Sequence, residues 1–202
     1  MAAELAPTKA NLIRLKGELL FAREGYEILD RKREILMQEL TAVAARYDRQ
    51  KEALALRLLT LYADFGAIRR LSGPLAHFYE SIQKPDAVRV DLSEVGVMGV
   101  KLAKLAVTRL EIPLHAAPRA AKEADRFVRE LAELIPMIVS FAEISSSLRR
   151  LSREAARTQK RQKALENIHI PSYESGIAFI SSTLEENERD ELGRYKKLKK
   201  RL

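Results

Sequence analysis

Apolar residues recur at alternating steps of three and four along the first third of the chain. From Leu12 to Leu61 these steps meet an apolar residue at twelve of fifteen positions. No proline falls between Pro7 and Pro74, so no proline breaks a helix there. A heptad repeat of this length keeps one stripe facing a partner only when two helices wind left-handedly around each other. Because ordinary helices average about 11–12 residues, the pattern predicts a coiled-coil arm over residues 1–72.

The last third of the chain carries a second, less regular apolar seam, in a predicted C-terminal arm over residues 119–202. One extra three-residue step interrupts this seam, which overwinds a coiled coil locally. Pro136 and Pro171 lie inside the arm, and we expect kinks near both, with Pro171 the stronger candidate for a break or bend. The predicted seam residues of the two arms are Leu12, Leu15, Leu19, Leu29, Leu36, Leu40, Val43, Leu54, Leu61, Phe127, Leu131, Leu134, Ile138, Phe141, Leu148, Leu151 and Leu165.

The middle of the chain, residues 73–118, has a different pattern and contains four of the seven prolines. Val88–Leu92 alternates between apolar and polar residues, and Leu105–Ile112 is rich in apolar and β-branched residues. Two glycines lie between these runs. The pattern predicts a small β-hairpin. A pair of short helices is the alternative, since residues 101–110 also fit a helical pattern.

The two arms belong to one chain, and neither can bury its seam alone. We therefore expect them to pack against each other in opposite directions, with a parallel homodimer as the alternative. The predicted fold is all-α dominated: a long antiparallel two-helix left-handed coiled coil with a small middle subdomain. At about 1.5 Å per residue, a 60-residue arm would be roughly 90 Å long, so we expect a rod.

Composition removes most kinds of chemistry. The 202 residues include no cysteine, which excludes disulfides, thiol catalysis and the usual structural zinc sites. His77, His115 and His169 lack the spacing of metal ligands, and no phosphate-binding loop is present. We therefore expect no catalytic residue, no cofactor and no metal. The longest uncharged stretch, Ser175–Leu184, is shorter than the roughly 18 apolar residues of a membrane span, so we expect no direct membrane insertion and no signal peptide.

The net charge of +8 is concentrated in two segments. Residues 144–163 and 193–202 each carry a net charge of +6, which leaves the remainder of the chain acidic. Three interpretations stay open: a solvated face, phosphate contacts with a nucleic acid, or a helix surface surrounded by acidic protein. The candidate partner-facing residues are Arg150, Arg153, Arg157, Lys160, Arg161, Lys196, Lys197, Lys199 and Lys200.

Two blocks of sequence carry a family resemblance. The first runs from Pro7-Thr8-Lys9 through Leu36, and the second is the run KRQKALENI at 160–168, followed by Ile170-Pro171 and Tyr173. Together they resemble the D subunit of the V-type (archaeal and vacuolar) ATPases and ATP synthases. The chain departs from the family at Gln162-Lys163, where Val-Asn is usual.

The resemblance implies a non-catalytic central-stalk subunit, the rotor axle that transmits torque between a catalytic ring and a membrane ion-translocating ring. It implies contacts with the A and B subunits of the ring, with the F subunit along the side and with the C or d subunit that forms a socket, and no nucleic-acid partner. On this hypothesis the protein is cytoplasmic and peripheral to the membrane, and the basic residues face the inner wall of the ring. The alternatives are a homo-oligomeric coiled-coil scaffold and a basic coiled-coil nucleic-acid-binding protein.

Three polar residues occupy predicted seam positions: Arg33, Gln50 and Arg57. Polar side chains in a coiled-coil seam cost stability and can fix the register of the two helices. We expect them to fix register or to mark where the pair opens for a partner. The alternative is that their apolar stems lie along the edge of the seam while their polar ends reach solvent.

Overall fold

The computed structural model describes residues 6–72, 88–111 and 121–199. Helix α1 spans Lys9–Ser72, strands β1 and β2 span Val88–Val97 and Val100–Leu110, and helix α2 spans Ala121–Ala164. A π-helical turn, Leu165–His169, then leads into helix α3, Ile170–Lys199. Two long helical arms with a β-hairpin between them in sequence confirm the predicted fold class.

Helix α1 begins at a capping residue and meets no internal proline. The side chain of Thr8 accepts a hydrogen bond from the backbone N–H of Asn11 at 3.2 Å, and its carbonyl accepts from the N–H of Leu12 at 3.0 Å. An N-terminal hydroxyl of this kind supplies a partner for an N–H group that the helix itself leaves unbonded. The helix then continues for 64 residues.

The chain divides into two compact units, which we call the terminal unit and the central unit. The terminal unit contains Met1–Ile35 and Ala155–Leu202, and the central unit contains Leu36–Glu154. These limits cut through helices α1 and α2 rather than following the three sequence segments. The predicted boundaries at 72/73 and 118/119 stay predictions, since residues 73–87 and 112–120 lie outside the described residues.

In the terminal unit the two arms run antiparallel. Lys9 pairs with Glu188 at 2.9 Å, and Arg23 pairs with Glu174 at 2.7 Å. As positions advance along α1, their partners retreat along α3. Gly176 is buried beside Leu15, where a Cβ atom built on the glycine would lie 3.3 Å from Leu15 Cδ1. The absence of a side chain at this position lets the two helices approach closely.

In the central unit the arms again run antiparallel, around an apolar cluster. The rings of Phe65 and Phe127 lie 5.6 Å apart between centroids, and those of Tyr47 and Phe141 lie 5.1 Å apart. Burial of each large apolar side chain contributes about 1.5–3 kcal/mol. The buried members of the cluster are Leu54, Leu61, Ile68, Phe127, Val128 and Leu134.

The hairpin is longer than its sequence pattern indicated. Strands β1 and β2 pair antiparallel from Val88–Leu110 to Val97–Val100, with an irregularity between Arg89 and Val90. Met98 and Gly99 form the turn, with φ angles of 48° and 78°. Positive φ at both central residues is typical of a type I′ turn, whose twist matches that of the paired strands. The hairpin prediction is confirmed, and the helical alternative for residues 101–110 is wrong.

The C-terminal arm stays helical through both prolines. Pro136 lies inside α2, and α2, the π-helical turn and α3 follow one another without a gap. The N–H of Ile170 donates to the carbonyl of Leu165, five residues back. This wider turn comes directly before Pro171, whose ring would otherwise crowd the preceding α-helical turn. The helix therefore does not break at Pro171, and the bends at both prolines stay predictions.

Candidate partner-binding surfaces

Most predicted seam residues lie at least partly buried. Leu36 and Leu151 are fully buried in the central unit, whereas Ile138 is 40% exposed and its neighbour Met137 packs against the apolar cluster. The other buried seam residues are Leu15, Leu54, Leu61, Phe127 and Leu134. The half-buried ones are Leu12, Leu19, Leu29, Leu40, Val43, Leu131, Phe141, Leu148 and Leu165. Met137 and Ile138 both lie one helical step after Leu134, so the apolar pattern alone does not choose between them, and the seam role of Ile138 stays a prediction.

A polar layer crosses the seam of the terminal unit. Oδ1 of Asp30 accepts hydrogen bonds from Arg33 Nη2 and from Gln162 Nε2, each at 2.8 Å. Gln162 is 5% exposed and Thr158 is 2% exposed. A polar side chain buried so deeply must be hydrogen-bonded, and the carboxylate of Asp30 satisfies Gln162. Arg33 therefore belongs to a layer that links the two arms.

The sequence indicated only part of this layer. Arg33 stood out as a polar residue at a seam position, whereas Asp30 lies three positions earlier and outside the apolar pattern. Its partner Gln162 lies 132 residues away. A carboxylate one helical turn from a seam arginine is the one local signal that pointed to Asp30.

The other two polar seam residues also face the opposite arm, in the central unit. Gln50 Nε2 lies 3.2 Å from Ser140 Oγ, and Arg57 Nη1 lies 3.7 Å from Glu133 Oε2. The pair formed by Arg57 is exposed, so solvent screens it. Gln50 is partly buried and links the helices more directly. Both contacts fit side chains at the edge of a seam.

A small charged cluster lies near the apolar cluster of the central unit. Arg126 Nε donates to Glu130 Oε1 at 2.9 Å, and Arg126 Nη2 lies 3.8 Å from Asp64 Oδ2. The hydrogen bond from Arg126 lowers the pKa of Glu130, and a hydrogen bond with Asp64 and the charge of Arg57 act in the same direction. Partial burial opposes this lowering of the pKa. The cluster bridges the two arms at the surface.

Two contacts attach the β-hairpin to helix α2. The backbone N–H of Leu105 donates to Glu143 Oε2 at 2.8 Å. Arg150 Nη1 donates to the carbonyl oxygen of Lys101 at 2.6 Å. Both bonds reach strand β2, so α2 satisfies backbone groups that would otherwise lie on an open strand edge. Arg150, expected on a partner-facing surface, is thus engaged within the central unit.

The predicted basic residues are exposed but divided between the two units. Arg150 and Arg153 lie in the central unit, and the others that the structure describes lie in the terminal unit. Lys200 lies outside the described residues. The exposed basic residues of the terminal unit are Arg157, Lys160, Arg161, Lys196, Lys197 and Lys199.

Within the described ranges, no group of three or more His, Asp or Glu side chains could hold a metal ion.

One stretch within Asp125–Lys199 is long and apolar enough to cross a membrane, with a mean hydropathy of 1.4. That test uses length and composition alone, and the same helix contributes Phe127 and Leu134 to the apolar cluster. Core helices of proteins outside membranes pass it as well, so the finding is weak support for a membrane span.

Comparisons with known proteins agree along almost the entire chain. The family described as the ATP synthase D subunit matches residues 11–200. The V-type ATP synthase D subunit of Thermotoga neapolitana is 33% identical, over 98% of this chain and 98% of the relative. The A-type ATP synthase D subunit of Methanopyrus kandleri is 26% identical over 97% of this chain and 86% of the relative. The V-type ATP synthase D subunit of Thermus thermophilus is 27% identical over 98% of this chain and 88% of the relative. The chain belongs to the family of ATP synthase D subunits.

Proposed function

We propose that the chain is a non-catalytic central-stalk subunit of a V/A-type rotary ATPase or ATP synthase. In this role it is the rotor axle, which transmits torque between the catalytic ring and the ion-translocating ring in the membrane. The observation that carries the proposal is the antiparallel pairing of the N-terminal and C-terminal arms within each unit, seen in Arg23 with Glu174 and in Phe65 with Phe127.

Paired helices suit torque transfer for a mechanical reason. A single helix bends and twists under load, whereas two helices with interlocking side chains resist both. The apolar cluster holds the arms of the central unit together, and the polar layer of Asp30, Arg33 and Gln162 opposes sliding of the arms in the terminal unit. A shaft subunit needs resistance to both separation and sliding.

The proposed partners follow from the family resemblance. We expect contacts with the A and B subunits of the catalytic ring, with the F subunit on the side of the stalk and with the C or d subunit as the socket. The complex would lie on the cytoplasmic face of a membrane, with this chain peripheral to it. The exposed basic residues of the terminal unit would face the wall of the ring. Long-range attraction tolerates rotation because it depends weakly on angle, unlike a bidentate ion pair.

A second candidate function, a self-associating scaffold, has one observation in its favour. Large apolar side chains are exposed on α1, with Ile13 72% exposed and Phe21 78% exposed. Leu20 and Ile28 lie on the same helical face. Exposed apolar patches mark protein–protein contacts. A rotor subunit also needs such contacts, so this surface fits both candidates, and the oligomeric state of the isolated chain separates them.

Replacement of Leu36 tests the rotor proposal. Leu36 is fully buried, so Leu36→Asp places a charge in the seam and costs about 3 kcal/mol or more. We expect the purified complex to lose ATP-driven ion transport, while ATP hydrolysis by the catalytic ring persists. Gln38→Asp, at an exposed position on the same helix, is the matched control and should stay coupled. A fully coupled Leu36→Asp complex would contradict the proposal.

A further inference from the structure

A shallow, open depression of about 520 Å³ lies on one face of α2 in the central unit, and all the described residues that line it belong to this helix. Its lining includes Phe141, Ser145, Ser146, Arg149, Arg150 and Arg153. These positions form two adjacent rows with steps of about one helical turn within each row, so they share a face of the helix. We call this surface the arginine groove. Its described lining contains three cations and no acidic side chain.

The three arginines of the groove are not equivalent. Arg150 donates to the carbonyl of Lys101 and so helps to hold the hairpin. Arg149 and Arg153 are exposed, and neither forms an ion pair with a carboxylate in the described part of the chain. Glu143, which precedes these arginines on α2, is already engaged by the N–H of Leu105, and Glu154, which follows Arg153, does not line the groove. Among the described residues, no carboxylate therefore occupies these two guanidinium groups, which a ligand could bind.

The spacing of these two arginines suits a helical ligand. Arg149 and Arg153 are four residues apart, which is about 6 Å along a helix axis. Carboxylates four residues apart on a second helix have the same separation. A guanidinium group binds a carboxylate through two parallel hydrogen bonds. The hydroxyl groups of Ser145 and Ser146 provide further donors and acceptors.

The rest of the groove is apolar and held in place. Phe141 is half-buried and stacks on Tyr47. An aromatic floor favours an apolar side chain of a peptide over a phosphate backbone. The two exposed arginines also neutralise few phosphates compared with the roughly 6–10 contacts of a protein that binds duplex DNA. The chemistry of the groove therefore favours an acidic protein segment over a nucleic acid.

We propose that the arginine groove binds an acidic helical segment of a neighbouring subunit. Carboxylates one turn apart on that segment pair with Arg149 and Arg153, and an apolar side chain between them covers Phe141. The proposal rests on the proposed function for the identity of the neighbour, which belongs to the same ATP synthase complex. The hairpin, fixed by Arg150 and Glu143, borders the binding helix.

The test uses the full chain in its purified complex. In one arm, Arg149→Gln/Arg153→Gln is compared with Arg46→Gln/Arg49→Gln, which removes the same charge from exposed positions of α1 in the same unit. The affinity is measured for the subunit that the crosslink described below identifies. We expect it to fall about tenfold in the groove variant and to stay unchanged in the control. The loss should shrink at high salt, which screens the pairs. In a second arm, a photo-crosslinking amino acid at position 146 locates the contacting peptide.

The outcomes separate this proposal from the proposed function. A crosslinked peptide with two carboxylates three or four residues apart supports the groove proposal. Equal affinities for the groove and control variants, or a crosslinked peptide without such a pair, overturn it while the rotor function stands. Duplex DNA binding that depends on Arg149 and Arg153 overturns it in favour of a nucleic acid. An unmodified chain that assembles with none of the ATP synthase subunits overturns both proposals.

Discussion

The terminal and central units join the same two arms by different chemistry. In the central unit, aromatic and aliphatic side chains such as Phe65, Phe127 and Leu134 form a continuous apolar cluster. In the terminal unit, small residues allow close approach, and the most deeply buried polar side chains are Thr158 and Gln162. Both units bury apolar side chains between paired helices, but the terminal unit, which buries Leu15 and Ile180, also carries the part-buried hydrogen bond from Gln162 to Asp30.

The two kinds of contact have different effects on the paired helices: one holds them together and the other fixes their register. Apolar burial is non-directional, so the cluster in the central unit holds the helices together without strongly fixing their register. A buried hydrogen bond works at one register only, because a shift leaves its donor and acceptor unpaired. The bond from Gln162 to Asp30 therefore selects the alignment of the terminal unit. A rotor shaft would benefit from strong adhesion in one region and a defined alignment in another.

The largest expected effect breaks the apolar cluster. Phe127→Ala removes a buried ring that packs on Phe65, and should cost about 3–5 kcal/mol. Hydrogen exchange should show faster exchange of amides in the central unit, with those of the terminal unit less affected. Leu59→Ala, at a position 67% exposed, is the control and should change stability by less than about 0.5 kcal/mol. Equal acceleration in both units would contradict the comparison.

A smaller effect is expected from breaking the polar layer. Asp30→Ala removes the acceptor for Gln162, which is 5% exposed, and an unpaired buried amide costs about 1–3 kcal/mol. The change should appear in hydrogen exchange of the terminal unit. Asp48→Ala, at an exposed position on the same helix, should have little effect.

A double variant sharpens the same test. Asp30→Ala/Gln162→Leu removes both partners of the bond between the arms, so it should recover the part of the lost stability that came from the unpaired amide, while Arg33 stays without Asp30 in both variants. If the layer fixes the register of the two arms, the double variant should sample more than one register. Pairs of cysteines, one on each arm and placed to match different registers, should then form disulfides for more than one pair. A double variant that is destabilised by the sum of its single changes would show that Gln162 and Asp30 act independently.

The sequence predicted the regular features of both units better than their irregular ones. Heptad spacing indicated α1 because few structures besides a coiled coil need such a repeat over many turns. Alternation and glycine placement indicated the hairpin, although not the turn at Met98, a non-glycine residue with positive φ. These features depend on neighbours close in sequence, so a local pattern carries them.

Other features depend on residues that are distant in sequence. The pattern placed Ile138 in the seam and did not single out Met137, which packs against the apolar cluster. Pro171 suggested a break because the sequence gives no sign that a π-helical turn precedes it. The pairing of Asp30 with Gln162 required the relative register of two arms, and the hydrogen bond from Arg150 to Lys101 required the placement of the hairpin.

The smallest expected effect concerns charge in the central unit, where we expect electrostatics to act at the surface rather than in the seam. The hydrogen bond from Arg126 lowers the pKa of Glu130 below its ordinary value of 4.5. A carboxyl whose pKa is lower in the folded state stabilises the fold above the unfolded pKa. That contribution disappears as the pH falls through the folded value. Stability should therefore decline below about pH 4.5, partly through Glu130.

Glu130→Gln removes this titration. The difference in unfolding free energy between pH 7 and pH 3 should be smaller in the variant than in the unmodified chain, as measured by urea unfolding. Glu52→Gln, at an exposed position on α1 of the same unit, should leave that difference unchanged. The side chain of Arg126 is solvent-exposed, so salt screens its pair with Glu130. In the unmodified chain, salt at about 1 M should therefore also reduce the difference in unfolding free energy between pH 7 and pH 3. A pH dependence of Glu130→Gln equal to that of the unmodified chain would place the acid sensitivity of the central unit at other carboxylates.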